Sequence, residues 1–323
     1  MVFTHTFEQF YLPDYNRRLT YFVTIGFVLI SGFSMGALYS DRVINNPLGN
    51  FEKFIKRTGK LFFLFSICNL GIFLFSEERR HILSAMGFSD IVGIAVLGNN
   101  QGVFAFDILV PLALTSIFSY LSLLILDIRF NKLYIVLTIC IIFFIDTIEW
   151  QNHYGVILLL CGIFGCFVGR QLYHTVDWST AIKVLGNQLP MVLSGSIIIC
   201  YYAGIVFFTP KGGGLHIGYH LPPSAMLLLF VYMCAIRFRL PDKNYISKIS
   251  SLVSSYMLFI YLFHILINYL LFFIIPKDSL NMIECIFLGI VTNVLTIIVC
   301  QLIKYFCDRS PFFKVCYDAV FKL

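Results

Sequence analysis

Two histidines fall in stretches with almost no charge. His264 closes the tetrapeptide Tyr261-Leu262-Phe263-His264 inside an apolar run from Leu252 to Ile275, and His5 sits in a short apolar stub from Met1 to Tyr11. An imidazole titrates near neutral pH, so a desolvated one suits proton transfer to or from a hydroxyl. Ionisable groups are costly at membrane depth and are functional suspects there; the plainer reading of each is a hydrogen bond between helices. Lys56-Arg57 supplies a second chemistry. A guanidinium is a planar fork matched to phosphate oxygens and an ammonium adds a compact charge, although a basic pair beside an apolar span also anchors it at the lipid surface. Ser31 offers a hydroxyl to a buried site from a segment in which Gly26, Gly32 and Gly36 provide small surfaces for close helix approach. Asp107 near the outer end of a span either orients a histidine or rests in the interface, and Asp127, Asp146 and Glu149 read as helix-end carboxylates. The loop from Thr209 to Pro223 fails as a phosphate loop, because Lys211 precedes the glycine triplet. His216 and His220 have metal-compatible spacing only on a helix, which the flanking Gly and Pro disfavour, so no metal site is expected.

The elements that must hold these residues follow from hydropathy. The 323-residue chain is 59% hydrophobic and only 12% charged, with a mean hydropathy of +0.86, which excludes an ordinary soluble core. Runs of roughly 20 apolar residues cross a bilayer; such runs fall at 19–40, 59–75, 103–127, 133–148, 155–173, 189–209, 222–240, 251–275 and 282–306. They lack the alternation of barrel strands, so all are expected to be helices. The fold class is therefore all-α, a polytopic transmembrane bundle of about nine spans plus an N-terminal helix remnant, forming one membrane domain over 1–323. With the stub ending outside, the 23 Lys and Arg divide over alternate connections as seventeen against six. The richer set, which includes Arg42, Lys53, Lys56, Arg129, Lys132, Arg170 and the C-terminal tail, is expected to be cytoplasmic. The net charge of +6 is thus topogenic, and its dispersal along one rim argues against a nucleic-acid partner. Most of the ten cysteines lie inside spans, and no disulfide framework or zinc spacing is expected from them.

The order of these features resembles the acyltransferase-3 superfamily of integral membrane acyltransferases over nearly the whole chain. The matching pieces are a first helix ending in a histidine (Met1 to His5), Phe27-Val28-Leu29-Ile30-Ser31-Gly32-Phe33, a basic turn at Lys56-Arg57, and a Ser-rich lead at Ile249 to Tyr256 into Tyr261-Leu262-Phe263-His264. Branches such as glucan succinyl-transferases and heparan-α-glucosaminide N-acetyltransferase are not separated by these motifs. The resemblance implies acyl transfer from cytoplasmic acyl-coenzyme A, most simply acetyl-coenzyme A, to a hydroxyl of an extracytoplasmic glycan or polysaccharide. The acyl-coenzyme A is a co-substrate and no permanently bound cofactor is implied. The setting implied is multi-pass, in lipid, in a bacterial cytoplasmic membrane with the C-terminus inside. His5 would be the general base; Lys56 and Arg57 would hold the coenzyme's phosphates, with Ser31, Asp107 and His264 lining the site. Family members open with an arginine well upstream of the first-helix histidine, whereas Met1 stands four residues before His5, so a truncated start is expected. The alternatives are a transporter or flippase of a lipid-linked saccharide, which the lack of inverted repeats disfavours, and an inactive truncated relative.

Overall fold

The computed structural model describes residues 14–75, 77–97, 108–147, 154–175, 192–199, 256–272 and 280–321, with single positions at 190, 226, 230, 252 and 275. Among the described residues the chain is helical throughout, without strands. Five helices are long and apolar enough to cross a membrane, and two further apolar helices are shorter. These seven correspond to seven of the nine expected spans. The expected spans at 189–209 and 222–240 lie mostly outside the described residues, as do His5, Asp107, the 209–223 loop with His216 and His220, and most of the Ser-rich lead. The chain divides into two compact units, one over 21–201 and 214–234 and the other over 1–20, 202–213 and 235–323.

The larger unit contains α1 (Asp14–Asn45), α2 (Pro47–Phe75), α3 (Glu77–Ser84), α4 (Phe88–Leu97), α5 (Leu109–Ile125), a 3₁₀ turn (Ile128–Phe130), α6 (Asn131–Thr147) and α7 (Tyr154–Thr175), with α1 entering it at residue 21. The long basic connection expected between the first two spans is absent. Asn46 alone separates α1 from α2: its Oδ1 accepts from Gly49 N at 3.1 Å and Pro47 takes the first helical position, the pairing of a side-chain cap with a residue lacking an N–H. Lys53, Lys56, Arg57 and Lys60 therefore ride on α2 itself, and the basic turn expected at Lys56-Arg57 is corrected to a helical segment. Neither α3 nor α4 was expected; α4 is too short to cross and packs on α7 and α5.

The tightest contact in this unit is between α1 and α7. A Cβ on Gly32 would lie 1.8 Å from Gly162 O and one on Gly36 1.9 Å from Cys166 O. From the other side, a Cβ on Gly165 would lie 2.3 Å from Leu29 O and one on Gly169 2.2 Å from Phe33 O. Each helix thus lays glycines against the other's backbone, the small-xxx-small mode of membrane packing. Both sets advance in the same chain direction, so α1 and α7 are parallel. Around them α2 runs antiparallel to α5: Tyr120 donates to Pro47 O at 3.0 Å, and Thr58 to Ala113 O at 3.2 Å. α6 turns back along α7, with Asn131 Nδ2 donating to Phe167 O at 2.8 Å. These directions agree with the alternation read from the charges. They also gather the exposed Arg42, Lys53, Lys56, Arg129 and Lys132 toward one end of the bundle. Just inside that end Met35, Val43, Phe54, Tyr120, Leu123 and Cys166 form a closed apolar core.

The smaller unit contributes α8 (Met257–Phe272), α9 (Met282–Arg309) and α10 (Pro311–Phe321). Glu284 has a structural role: Asn281 Oδ1 accepts from Ile283 N and Glu284 N, while Glu284 Oε2 accepts from Asn281 N. This reciprocal box starts α9. Ser310 stops it in extended conformation, and α10 follows at once where the charge reading had only a tail. Its rings return to the start of α8, Tyr317 to Tyr256 just before that helix at 5.1 Å and Phe321 to Phe259 within it at 5.3 Å.

The glycine seam generates a paired expectation. Gly36→Ala places a methyl against Cys166 O and should destabilise by about 1–3 kcal/mol, as overpacking does. Gly59 has open space around its Cα, so Gly59→Ala should stabilise by about 0.5–1 kcal/mol through helix propensity. Thermal unfolding of the detergent-purified variants should rank Gly59→Ala above the parent and Gly36→Ala below it; the reverse order would remove the seam.

Candidate functional site

The α1–α2 hairpin sets the site. Because the two helices are separated by one residue and antiparallel, Tyr39 meets Phe54 edge to face at 5.4 Å, and further along the pair Ser31 meets Arg57. Arg57 Nη2 donates to Ser31 Oγ at 3.2 Å. The glycine face of α1 is occupied by α7, which leaves the neighbouring Ser31 edge for α2. Arg57 lies ten residues into α2, about 15 Å along the helix; the 18 residues that follow it to Phe75 match a hydrocarbon core of about 30 Å. The guanidinium is thus held where charge gives way to apolar span. Its Nε is enclosed and without a hydrogen-bond partner, and among the described residues no carboxylate is paired with it. Among the described residues the guanidinium has one neutral oxygen as acceptor, at Ser31, and an unpaired Nε.

Lys56 is not brought to this point. One residue away on a helix is a turn of about 100°, and its side chain is exposed and paired with Glu52, one turn back. The clamp expected from two adjacent basic residues reduces in the described structure to Arg57 with Ser31.

Within the smaller unit His264 is completely buried. Its Nδ1 lies 2.8 Å from Ile260 O. A carbonyl only accepts, so Nδ1 donates in this contact and carries a proton. Tyr261, also buried, sets its ring 5.9 Å from the imidazole, near perpendicular. The imidazole is thus enclosed in an apolar helix, with Nδ1 turned to the carbonyl one turn back.

Three buried polar residues escaped the sequence reading. Arg170, counted with the topogenic charges, is 2% exposed; its Nη1 donates to Leu126 O at 2.9 Å, with Asp41 and Asp127 in electrostatic range. It directly follows the Gly165–Gly169 ridge, so its place on the contact side of α7 was readable from the glycine spacing. Asn131 is fully buried and ties the start of α6 to Phe167 O and Gln171 Oε1. Asn268, one turn beyond His264, is also fully buried. A lone amide in an apolar helix gives no sign of which way it faces, and periodicity in a uniformly apolar segment is too weak to supply one.

No known protein family, curated protein or solved structure matches this chain. The chemistry of its own residues must therefore carry the functional reading.

The Arg57–Ser31 bond sets up a double-mutant cycle. Hydrogen bonds to charged groups contribute about 1.5–3 kcal/mol when enclosed, so Arg57→Met and Ser31→Ala should each destabilise the detergent-purified protein, with a coupling of about 1 kcal/mol or more. Additive losses in thermal unfolding would mean that the two side chains do not interact.

Proposed function

We propose that this protein is a membrane-bound acyltransferase that moves an acyl group, acetyl in the simplest case, from acyl-coenzyme A to a hydroxyl of a glycan across the membrane. The observation that supports this reading is the pairing of Arg57 with Ser31. The two segments that carry the resemblance near the start of the chain, Ser-Gly-Phe and Lys-Arg, meet through a guanidinium that lacks an acidic partner among the described residues. A phosphate supplies the missing anion and matches the fork of a guanidinium.

In this reading the richly basic end faces the cytoplasm, and Arg57 binds a phosphate of the donor while its thioester arm extends between the helices. His5 removes the proton from the acceptor hydroxyl as the oxygen attacks the thioester carbonyl. Collapse of the tetrahedral adduct forms the ester and breaks the carbon–sulfur bond, and the imidazolium returns its proton to the departing thiolate. General-base assistance of this kind contributes roughly 10² to 10⁴ in rate. Asp107 and Lys56 stay in this scheme as an orienting carboxylate and a rim cation, and His264 as a lining residue.

Transfer of labelled acetyl from acetyl-coenzyme A to glycan by protein purified in detergent tests the scheme, since no gradient exists there to drive a carrier. His5→Ala should abolish transfer with the protein still inserted. Arg57→Ala should raise the donor KM at least tenfold with a smaller fall in kcat, as loss of uniform binding does. Full activity without the His5 ring would end the mechanism. Uptake of a lipid-linked saccharide into vesicles without any transfer would replace it with the carrier reading.

A further inference from the structure

The α8–α9 hairpin hides polar groups that its packing leaves without partners. Asn268 has no exposed surface, and neither its Nδ2 nor its Oδ1 has a hydrogen-bond partner among the described residues. On α9 Thr292 is equally enclosed with Oγ1 unpaired, while Thr296 one turn on donates to Thr292 O at 2.7 Å. The two helices pack together and are joined by the nine residues 273–281, so they run antiparallel. Tyr256, just before α8, is in electrostatic range of Cys300 and Cys307. Counting the equal rise of two α-helices from that level puts Asn268 opposite about 288–295. Asn268 and Thr292 therefore sit at about the same depth in the hairpin.

A buried donor or acceptor without a partner costs about 1–3 kcal/mol, and hydrocarbon offers no water to relieve it. Leucine at 268 and valine at 292 would fill similar volumes without that cost. Polar groups kept in this state call for a specific explanation, and a ligand that meets both of them supplies one. The chemistry of that ligand follows from the groups. A carboxamide and a hydroxyl each both donate and accept. α8 has no Asp, Glu, Lys or Arg, and α9 has none between Glu284 and Lys304, so these two helices supply no fixed charge to balance an ion.

We propose that Asn268 and Thr292 form an intramembrane binding site for a neutral group that both donates and accepts hydrogen bonds, a secondary amide or an alcohol. The naming of its two sources rests on the acyl-transfer reading: the pantetheine arm of the donor carries amides and the glycan acceptor carries hydroxyls. The site is closed in this structure, so occupancy requires α8, α9 and their surroundings to part locally.

The test is ligand-dependent thermal stabilisation of the full chain in a sugar-free detergent, with pantetheine and maltoheptaose as separate probes, for the parent, Asn268→Leu and Thr292→Val. Both substitutions remove unpaired polar atoms, so both variants should melt at or above the parent temperature. For one of the probes they should also need at least tenfold more ligand for the half-maximal shift. Weakening confined to pantetheine assigns the site to the donor arm; weakening confined to maltoheptaose assigns it to the acceptor. Should Asn268→Leu fail to fold, Thr292→Val carries the same reading. The proposal is overturned if the parent responds to neither probe, or if variants that fold respond as the parent does. Neither probe carries an acyl group, so the result is independent of transfer. An Asn268-dependent response without any acetyl transfer would remove the enzyme and keep the site, and parental transfer rates with unchanged probe responses would do the opposite.

Discussion

The contact on which the larger unit depends is the meeting of two backbones, α1 and α7, with no side chain between them. In lipid the apolar surfaces of two helices gain little by leaving a solvent as apolar as themselves, so association relies on close packing and polar contacts. Gly32 and Gly36 against Gly162 and Cys166, with Gly165 and Gly169 against Leu29 and Phe33, supply the close packing over about two turns. The seam fixes the rotation of α1 about its own axis. Once that is fixed, Ser31 has one direction left in which to face, and the one-residue link at Asn46 brings Arg57 to it. Gly162 is also pressed on Thr115 of α5, and Arg170, at the end of the same ridge, closes the bundle onto Leu126.

The polar residues enclosed by the helices divide by how their hydrogen bonds are met. Asn69, Ser116, Thr138, Asn293 and Thr296 turn back to carbonyls of their own helices, which satisfies their donors and asks nothing of a neighbour. Thr58, Tyr120, Asn131 and Arg170 reach a different helix and so define register. Arg57 also reaches a different helix, at Ser31, but its Nε is enclosed without a partner among the described residues, and the Asn268 side chain makes neither kind of bond there. It is on these unmet groups that ligand binding is proposed.

Much of the fold was legible because it rests on averages. Seven apolar helices stand where hydropathy placed them, and the alternating directions of α1, α2, α5, α6 and α7 follow the charge count. Junctions were less legible. The Asn46-Pro47 and Ser310-Pro311 pairs are helix-start signals, yet the basic residues after the first suggested a loop, and the short apolar stretch ending the chain was passed over as a tail. The candidate site was half legible. Ser31, Arg57 and His264 were singled out by residue type, whereas the divergence of Lys56 from Arg57 depends on helix rotation that begins at Pro47. Asn268 carries no mark of enclosure in its local sequence, whereas Arg170 is marked only by the glycine ridge that precedes it.

By itself, then, the amino-acid sequence determined that this is an apolar helical chain, which stretches are apolar enough to cross a membrane, and toward which end its cations gather. Those properties are sums over neighbouring residues and need no knowledge of rotation or contact. Only the tertiary structure decided that Arg57 turns to Ser31 while Lys56 turns away, that Arg170 is sealed in, and that the Asn268 and Thr292 side chains are enclosed with no hydrogen-bond partner among the described residues. The physical reason is that a side chain on a helix is enclosed or free according to its angle around the axis and to what packs there. In this chain that neighbour is often more than a hundred residues away, as Gly162 is from Gly32.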